Sequence, residues 1–233
     1  ALYISASIGI TLCPVDASDM TELLKHADRA MYVAKSEGRN RFSYFTRQMQ
    51  AAALKRQELI RDMRGALRAG QFELHFQPII ALNGSGSGRV HKVEALLRWR
   101  HPERGMVSPG DFIPLAEETG MIQELGDWVF RQAVQAAGRW NEGRDPDAPP
   151  IQISINKSPR QFYTGNTHET WIDYLHESGL PAECVVIEIT EGLLVEDHPE
   201  VAGTLVEFRD RGIQVALDDF GTGYSSMSYL KRF

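Results

Sequence analysis

Five oxygen-bearing side chains stand near the ends of short apolar runs in the C-terminal part of the chain: Glu94 in VEALLRW, Asn156 in IQISIN, Glu188 in CVVIEIT, and the adjacent Asp218 and Asp219 in IQVALDD. Four carboxylates and one amide, with no imidazole or thiolate among them, form a hard-oxygen donor set that suits Mg²⁺ or Mn²⁺ better than Zn²⁺. Neighbouring carboxylates repel each other and are costly to desolvate, so Asp218 and Asp219 at the mouth of a buried strand need a counter-charge. Metal cations supply it, and four negative charges match two divalent ions. Two ions about 4 Å apart clamp an in-line displacement at phosphorus and activate the attacking water. The chemistry expected is phosphodiester hydrolysis, with Glu94, Asp218 and Asp219 holding the activated water's metal and Glu94, Asn156, Glu188, Asp218 and Asp219 as the metal ligands.

Each of these residues also has a plainer reading. A lone Glu in a strand is commonly an edge residue or half of an ion pair. Asp-Asp followed by Phe-Gly-Thr-Gly is ordinary turn chemistry, and Asp-Phe-Gly also evokes a protein kinase. The kinase reading fails because the chain has neither a Gly-rich nucleotide loop, nor a VAIK-like strand, nor an HRD-type loop. Convergence decides: several acids independently set at strand ends are hard to explain as packing. His75 reads as a satisfied wall residue, His101 in RHPE as a turn former, and Met31, Met49 and Met63 as helix packing.

The elements that must position these residues follow from periodicity. FELHFQPII, RVHKVEALLRW, IQISIN, CVVIEIT and IQVALDD are strand-like, and long helical stretches separate the last four. Strands alternating with helices give parallel βα units. The loop NGSGSG between the first two is too short for a crossover helix, so that pair is expected to be antiparallel. In VEALLRW, alternation puts Glu94, Leu96 and Arg98 on one face and Val93, Ala95, Leu97 and Trp99 on the other; in IQISIN, Ser154 and Asn156 share a face. The fold class expected is α/β, a (β/α)₈ TIM-like barrel with an antiparallel first strand, cut after about five strands, its remaining strands lying beyond Phe233. Ahead of it, YISASIGITL predicts a strand, Ser18 and Asp19 cap a helix that Gly38 closes, and NRFSYF predicts a short strand. Residues 46–69 predict a connecting helix ended by Gly70.

Composition sets outer bounds. The chain has 233 residues, 42 % of them hydrophobic, and a net charge of −6, which argues for a packed core and against a surface that tracks DNA or RNA. Its two cysteines, Cys13 and Cys184, form no metal or disulfide pattern, and no run is long and apolar enough to span a membrane. A cytoplasmic setting is expected, with no membrane contact from this segment, and the chain reads as an internal piece of a longer protein whose other parts could carry an anchor.

FQPI, EALLRW, SPGDFIPLAEETGMI, SIN, IEITE and DDFGTGYSSMSYLKRF, in that order, resemble the EAL domain, the bacterial phosphodiesterase that linearises cyclic di-GMP to pGpG. ASIGIT and ADRAMYVAKSEGRNRFSYF resemble the end of a GGDEF domain, the diguanylate cyclase module. The organisation implied is a GGDEF fragment at 1–45, a connecting helix at 46–69 and an incomplete EAL domain over 56–233. The resemblance implies Mg²⁺ or Mn²⁺ at Glu94, Asn156, Glu188, Asp218 and Asp219, a ligand phosphate at Arg98, a nucleotide site lined by Gln77 and Leu96, and a general-base lysine beyond Phe233. It implies cyclic di-GMP as the partner and a homodimer formed through the EAL domain, with GTGYSS as a loop tied to dimerisation and metal control. Phe76 stands where the family usually has tyrosine, and Glu191 matches a loop-anchoring acid. The alternative function is an inactive EAL domain that only binds the nucleotide; a weaker one is a structural remnant.

Overall fold

Backbone donors and acceptors must be paired wherever the chain is buried, and the pairing available decides which apolar runs become strands. The computed structural model describes residues 4–82, 88–145, 148–163, 167–195 and 199–218; Asp219 and the GTGYSS segment lie outside them. The chain divides into two compact units, residues 1–63 and 64–233. No helix among the described residues is long and apolar enough to cross a membrane.

In the first unit, β1 (Ile8–Ile10) and β2 (Phe42–Tyr44) pair in parallel across the helix α1 (Met20–Ser36). Among its described residues, YISASIGITL is strand only at Ile8–Ile10, where β2 supplies partners; Ile4 is 92 % exposed. The Asp19 carboxylate accepts the Glu22 N–H at 3.0 Å, the cap expected from the sequence, and Gly38 follows the helix at a φ of 109°. Gly9 lies so close to α1 that a Cβ would collide with the Ala27 carbonyl and the Met31 amide. The helix α2 (Arg47–Ala66) then carries the chain from one unit to the other, and Gly70 follows it at a φ of 65°.

The second unit is built on a sheet. β3 (Phe72–Ile80) and β4 (Val90–His101) are antiparallel, as their short connection requires. The short strand β5 (Gly105–Val107) folds back on β4 and was not foreseen, since three residues carry no period. It exists because His101 closes the turn: its Nδ1 accepts the Glu103 and Arg104 N–H groups at 3.1 and 3.2 Å. His101 is thus the turn former expected. The parallel strands β6 (Gln152–Asn156), β7 (Val185–Thr190) and β8 (Gln214–Asp218) complete the order β3-β4-β6-β7-β8.

The stretch after β5 gives α3 (Pro109–Thr119) and α4 (Ile122–Asn141), separated where Gly120 adopts a left-handed φ of 77°. After β6 come α5 (Arg160–Tyr163) and α6 (Thr167–Ser178), then a 3₁₀ turn at Ala182–Cys184. After β7 come α7 (Glu191–Val195) and α8 (Pro199–Asp210).

The core lies between the sheet and the helices. Ile153, Ile155 and Ile187 are fully buried in one cluster with Phe130, Ala133 and Ala137 of α4, Trp171 and Leu175 of α6, and Phe208 of α8. Phe130 stacks on Trp171 with ring centroids 4.4 Å apart. Burying these side chains stabilises by roughly 1.5–3 kcal/mol each, and alternation then sends Ser154, Asn156 and Glu188 to the opposite face.

Two substitutions test this packing. Phe130→Ala removes a fully buried ring and should cost about 3–5 kcal/mol in urea denaturation. Gly9→Ala drives a methyl into backbone and should destabilise by about 1–3 kcal/mol; an unchanged denaturation midpoint would refute the close approach of β1 to α1.

Candidate functional site

The site is assembled by register. β4 pairs with β6 only over Lys92–Ala95 against Gln152–Ile155, with Glu94 opposite Ser154. β6 ends at Asn156, which lies opposite Glu188 on β7. β4 itself runs on to His101. Glu94 therefore reaches the rim where its parallel partner stops and not where its own strand ends. Leu96 and Arg98 continue past that rim on the same face.

Side-chain contacts tie this face together. Asn156 Nδ2 donates to Glu94 Oε1 at 2.8 Å, joining residues of β4 and β6. Lys92 Nζ donates to Glu188 Oε1 at 2.9 Å, crossing from β4 to β7. Gln77 lies opposite Glu94 in the antiparallel register, and Asp218 lies opposite Thr190 at the end of β8. Glu94 and Asn156 are thus brought into contact and Asn156 is in register with Glu188, whereas Asp218 stands on the next strand and Asp219 lies outside the described residues. Among the described residues, none pairs with the Oγ of the fully buried Ser154.

Lys92 is a residue of this face that sequence reasoning missed. Its signal was present, since it precedes Glu94 by two and must share its face. Lys157 was also passed over. Its ammonium lies 3.8 Å from the Trp171 ring centroid and 5.1 Å from that of Phe162. Burial pushes its pKa down to about 7, with the Asp127 carboxylate acting against that shift.

The segment after Asn156 is held from several sides. The Lys157 N–H donates to the Glu188 carbonyl at 2.8 Å, Ser158 Oγ donates to Glu117 Oε1 at 2.7 Å, and the Ser158 N–H donates to Gln161 Oε1 at 3.0 Å. Gln161 is 2 % exposed and rests against Gly126 of α4, where a Cβ would strike its amide. These bonds fix where β6 ends, and with it the Asn156 side chain.

A cavity of about 270 Å³ opens beside these residues, bordered by Leu96, Arg98, Ile113, Val129, Asn156 and Glu188. Leucine, isoleucine and valine side chains share its walls with polar groups that include Arg98, Asn156 and Glu188, the usual mixture of a small-molecule site. Arg98 Nη1 donates to the Leu97 carbonyl at 2.9 Å, which turns the guanidinium along its own strand. On the same face of the β3–β4 pair, Glu73 accepts from Arg100 at 2.8 Å and lies 2.9 Å from His75 Nε2. Hydrogen bonds from Arg100 and then His75 hold the Glu73 carboxyl below its ordinary range. His75 is accordingly an exposed partner of Glu73.

The donor set fits a hard divalent cation in kind: Glu94, Asn156, Glu188 and Asp218 offer oxygens from successive strands. Among the described residues, no three His, Cys, Asp or Glu side chains close into a group able to hold an ion. Glu188 is instead drawn to Lys92.

Comparison with known proteins extends this picture. A family model described as "EAL domain" matches residues 60–233, and one described as "Diguanylate cyclase, GGDEF domain" matches residues 1–41. The chain is 40 % identical over 230 residues to the bifunctional diguanylate cyclase/cyclic di-GMP phosphodiesterase MucR of Pseudomonas aeruginosa, covering 98 % of this chain and 33 % of that protein. To cyclic di-GMP phosphodiesterase PdeR of Escherichia coli it is 38 % identical over 232 residues, covering 100 % of this chain and 34 % of that one. The chain thus spans about a third of the length of these curated relatives. Among solved structures, the PaMucR phosphodiesterase in its c-di-GMP complex superposes with a TM-score of 0.68 at 37 % identity, over 76 % of this chain and 69 % of that chain. The EAL enzyme Bd1971, in a cAMP- and cyclic-di-GMP-bound form, gives a TM-score of 0.71 at 26 % identity, over 94 % and 56 %. The second unit therefore has the EAL-type barrel architecture, with its antiparallel first strand, and the chain opens with a GGDEF fragment.

Lys157 gives a pH dependence of known sign. With its pKa lowered from 10.5 to about 7 by folding, the unfolded chain binds more protons between those values, so stability rises with pH across that window. The slope is at most about 1.4 kcal/mol per pH unit. Urea denaturation from pH 7 to 9 should show the rise, and Lys157→Met should remove it; an identical slope in the variant would contradict the assignment.

Proposed function

We propose, from the premise that this chain belongs to the EAL domain family, that it forms the nucleotide-binding and metal-binding part of a phosphodiesterase hydrolysing cyclic di-GMP to linear pGpG. The observation that carries this reading is the contact of Glu94 with Asn156, in register with Glu188, at the border of a cavity that Arg98 also lines. An anionic dinucleotide needs local positive charge in a protein whose net charge is −6. Arg98 supplies it through charge-assisted hydrogen bonds to a phosphate. Leu96 offers apolar surface to the ligand, and Gln77 an amide beside Glu94. The names of the relatives support the same substrate.

Glu94, Asn156, Glu188, Asp218 and Asp219 would hold Mg²⁺ or Mn²⁺, two ions in the full site. Bound there, the ions supply an activated water and charge stabilisation at phosphorus. The protein's part is positional. The Ser158 bonds to Glu117 and Gln161 hold the end of β6, so Asn156 and Glu94 meet without rearrangement.

A second reading, nucleotide binding without turnover, draws support from the Lys92–Glu188 pair, which occupies one donor before any ion arrives. The protein is proposed to form a homodimer joined through the EAL domain, a reading that rests on the resemblance of its GTGYSS segment, with this chain facing the cytoplasm whether or not another part carries an anchor.

The test is incubation of the intact protein with cyclic di-GMP and Mg²⁺ or Mn²⁺, with the linear product quantified. Glu94→Ala should lower kcat by roughly 10³-fold or more; unchanged turnover would remove Glu94 from the site. Arg98→Ala should raise KM by about 10- to 100-fold, the loss of one charge-assisted hydrogen bond. Nucleotide binding that needs no metal, with no product from the intact protein, would favour the second reading.

A further inference from the structure

Lys92 stands two residues before Glu94 on β4, on the same face of the strand. Its Nζ lies 2.9 Å from Glu188 Oε1, and the two side chains are only 17 % and 12 % exposed. Such a pair is screened far less than one on the surface. The two acids at the centre of the site are therefore held differently: Glu94 by the neutral amide of Asn156, Glu188 by a full positive charge. Opposite Glu94 in register, the fully buried Ser154 Oγ has no partner among the described residues. An ammonium bonded to Oε1 and a divalent cation on the same carboxylate repel each other at close range, in a setting where water damps the repulsion poorly.

We propose that Lys92 is a positioning residue that acts as the site's own counter-cation, holding Glu188 while no ion is bound and leaving it when a divalent cation binds. Resting on the metal-site reading above, the inference adds regulation of that site: Lys92 keeps Glu188 in place before an ion arrives, and it weakens ion binding by the work of displacing it. Removing either partner alone has opposite results. Loss of the lysine leaves the carboxylate to the ion, whereas loss of the carboxylate removes a ligand. Because Lys92 acts through Glu188, its effect is read in metal affinity.

The experiment titrates Mn²⁺ alone into the intact protein without nucleotide, following the dissociation constant by calorimetry and the Mn²⁺-induced rise in Tm. Lys92→Met should bind Mn²⁺ roughly tenfold more tightly and show a larger rise in Tm. Lys92→Arg should return to wild-type affinity, which a purely steric role for Lys92 would not produce. Lys92→Gln, which keeps a hydrogen-bond donor toward Glu188, provides the same comparison should methionine disturb folding. Glu188→Gln should weaken Mn²⁺ binding. Affinities of Lys92→Met and Lys92→Gln within twofold of wild type, or weaker, overturn the inference, as does tighter binding by Lys92→Arg. If Glu188→Gln weakens binding while both neutral variants match wild type, the inference alone falls; if Glu188→Gln changes nothing, the metal-site reading falls with it.

Discussion

A sheet sealed by helices on one face leaves each strand a single other direction for its remaining side chains, and the whole site depends on that constraint. Ile153, Ile155 and Ile187 are drawn outward into the cluster with Phe130, Trp171 and Phe208. Ser154, Asn156 and Glu188, which alternate with them, then have to face inward. A shift of one residue in any strand would exchange the two sets and bury carboxylates among aromatic rings, at a cost no local interaction offsets. The apolar core thus fixes the direction of the polar groups without touching them.

Electrostatics set the finer arrangement. Carboxylates gathered on one face repel each other, and each one the structure describes at the centre has found a different remedy. Glu94 takes the Asn156 amide, and Glu188 takes the Lys92 ammonium. Lys157, one residue from Asn156, lies against the Trp171 and Phe162 rings and is buried enough for its pKa to fall to about 7. Positive charge at the centre of the face therefore comes from Lys92, whereas the Lys157 ammonium is directed at aromatic rings.

Much of this was legible in the sequence because it depends on short-range rules. The Asp19 cap, the His101 turn, the antiparallel start of the sheet and the alternation through VEALLRW follow from residue type and spacing, and the structure contains each of them. Other features depend on a partner that is distant in sequence. The strand in YISASIGITL is short because β2 is short, and β5 exists because a turn folds it back on β4. The helical stretch after β5 breaks at Gly120, which the apolar period runs through without a mark.

By itself the sequence determined the donor types, the inward face of each strand and the likeness to EAL domains, since composition, period and motif order are properties of a linear chain. Only the tertiary structure decided that Glu94 meets Asn156 and that Lys92 holds Glu188, 96 residues away. The reason is register. Alternation gives a side chain its face but not its height, and height is set when β4, β6 and β7 align through backbone hydrogen bonds that no local pattern encodes.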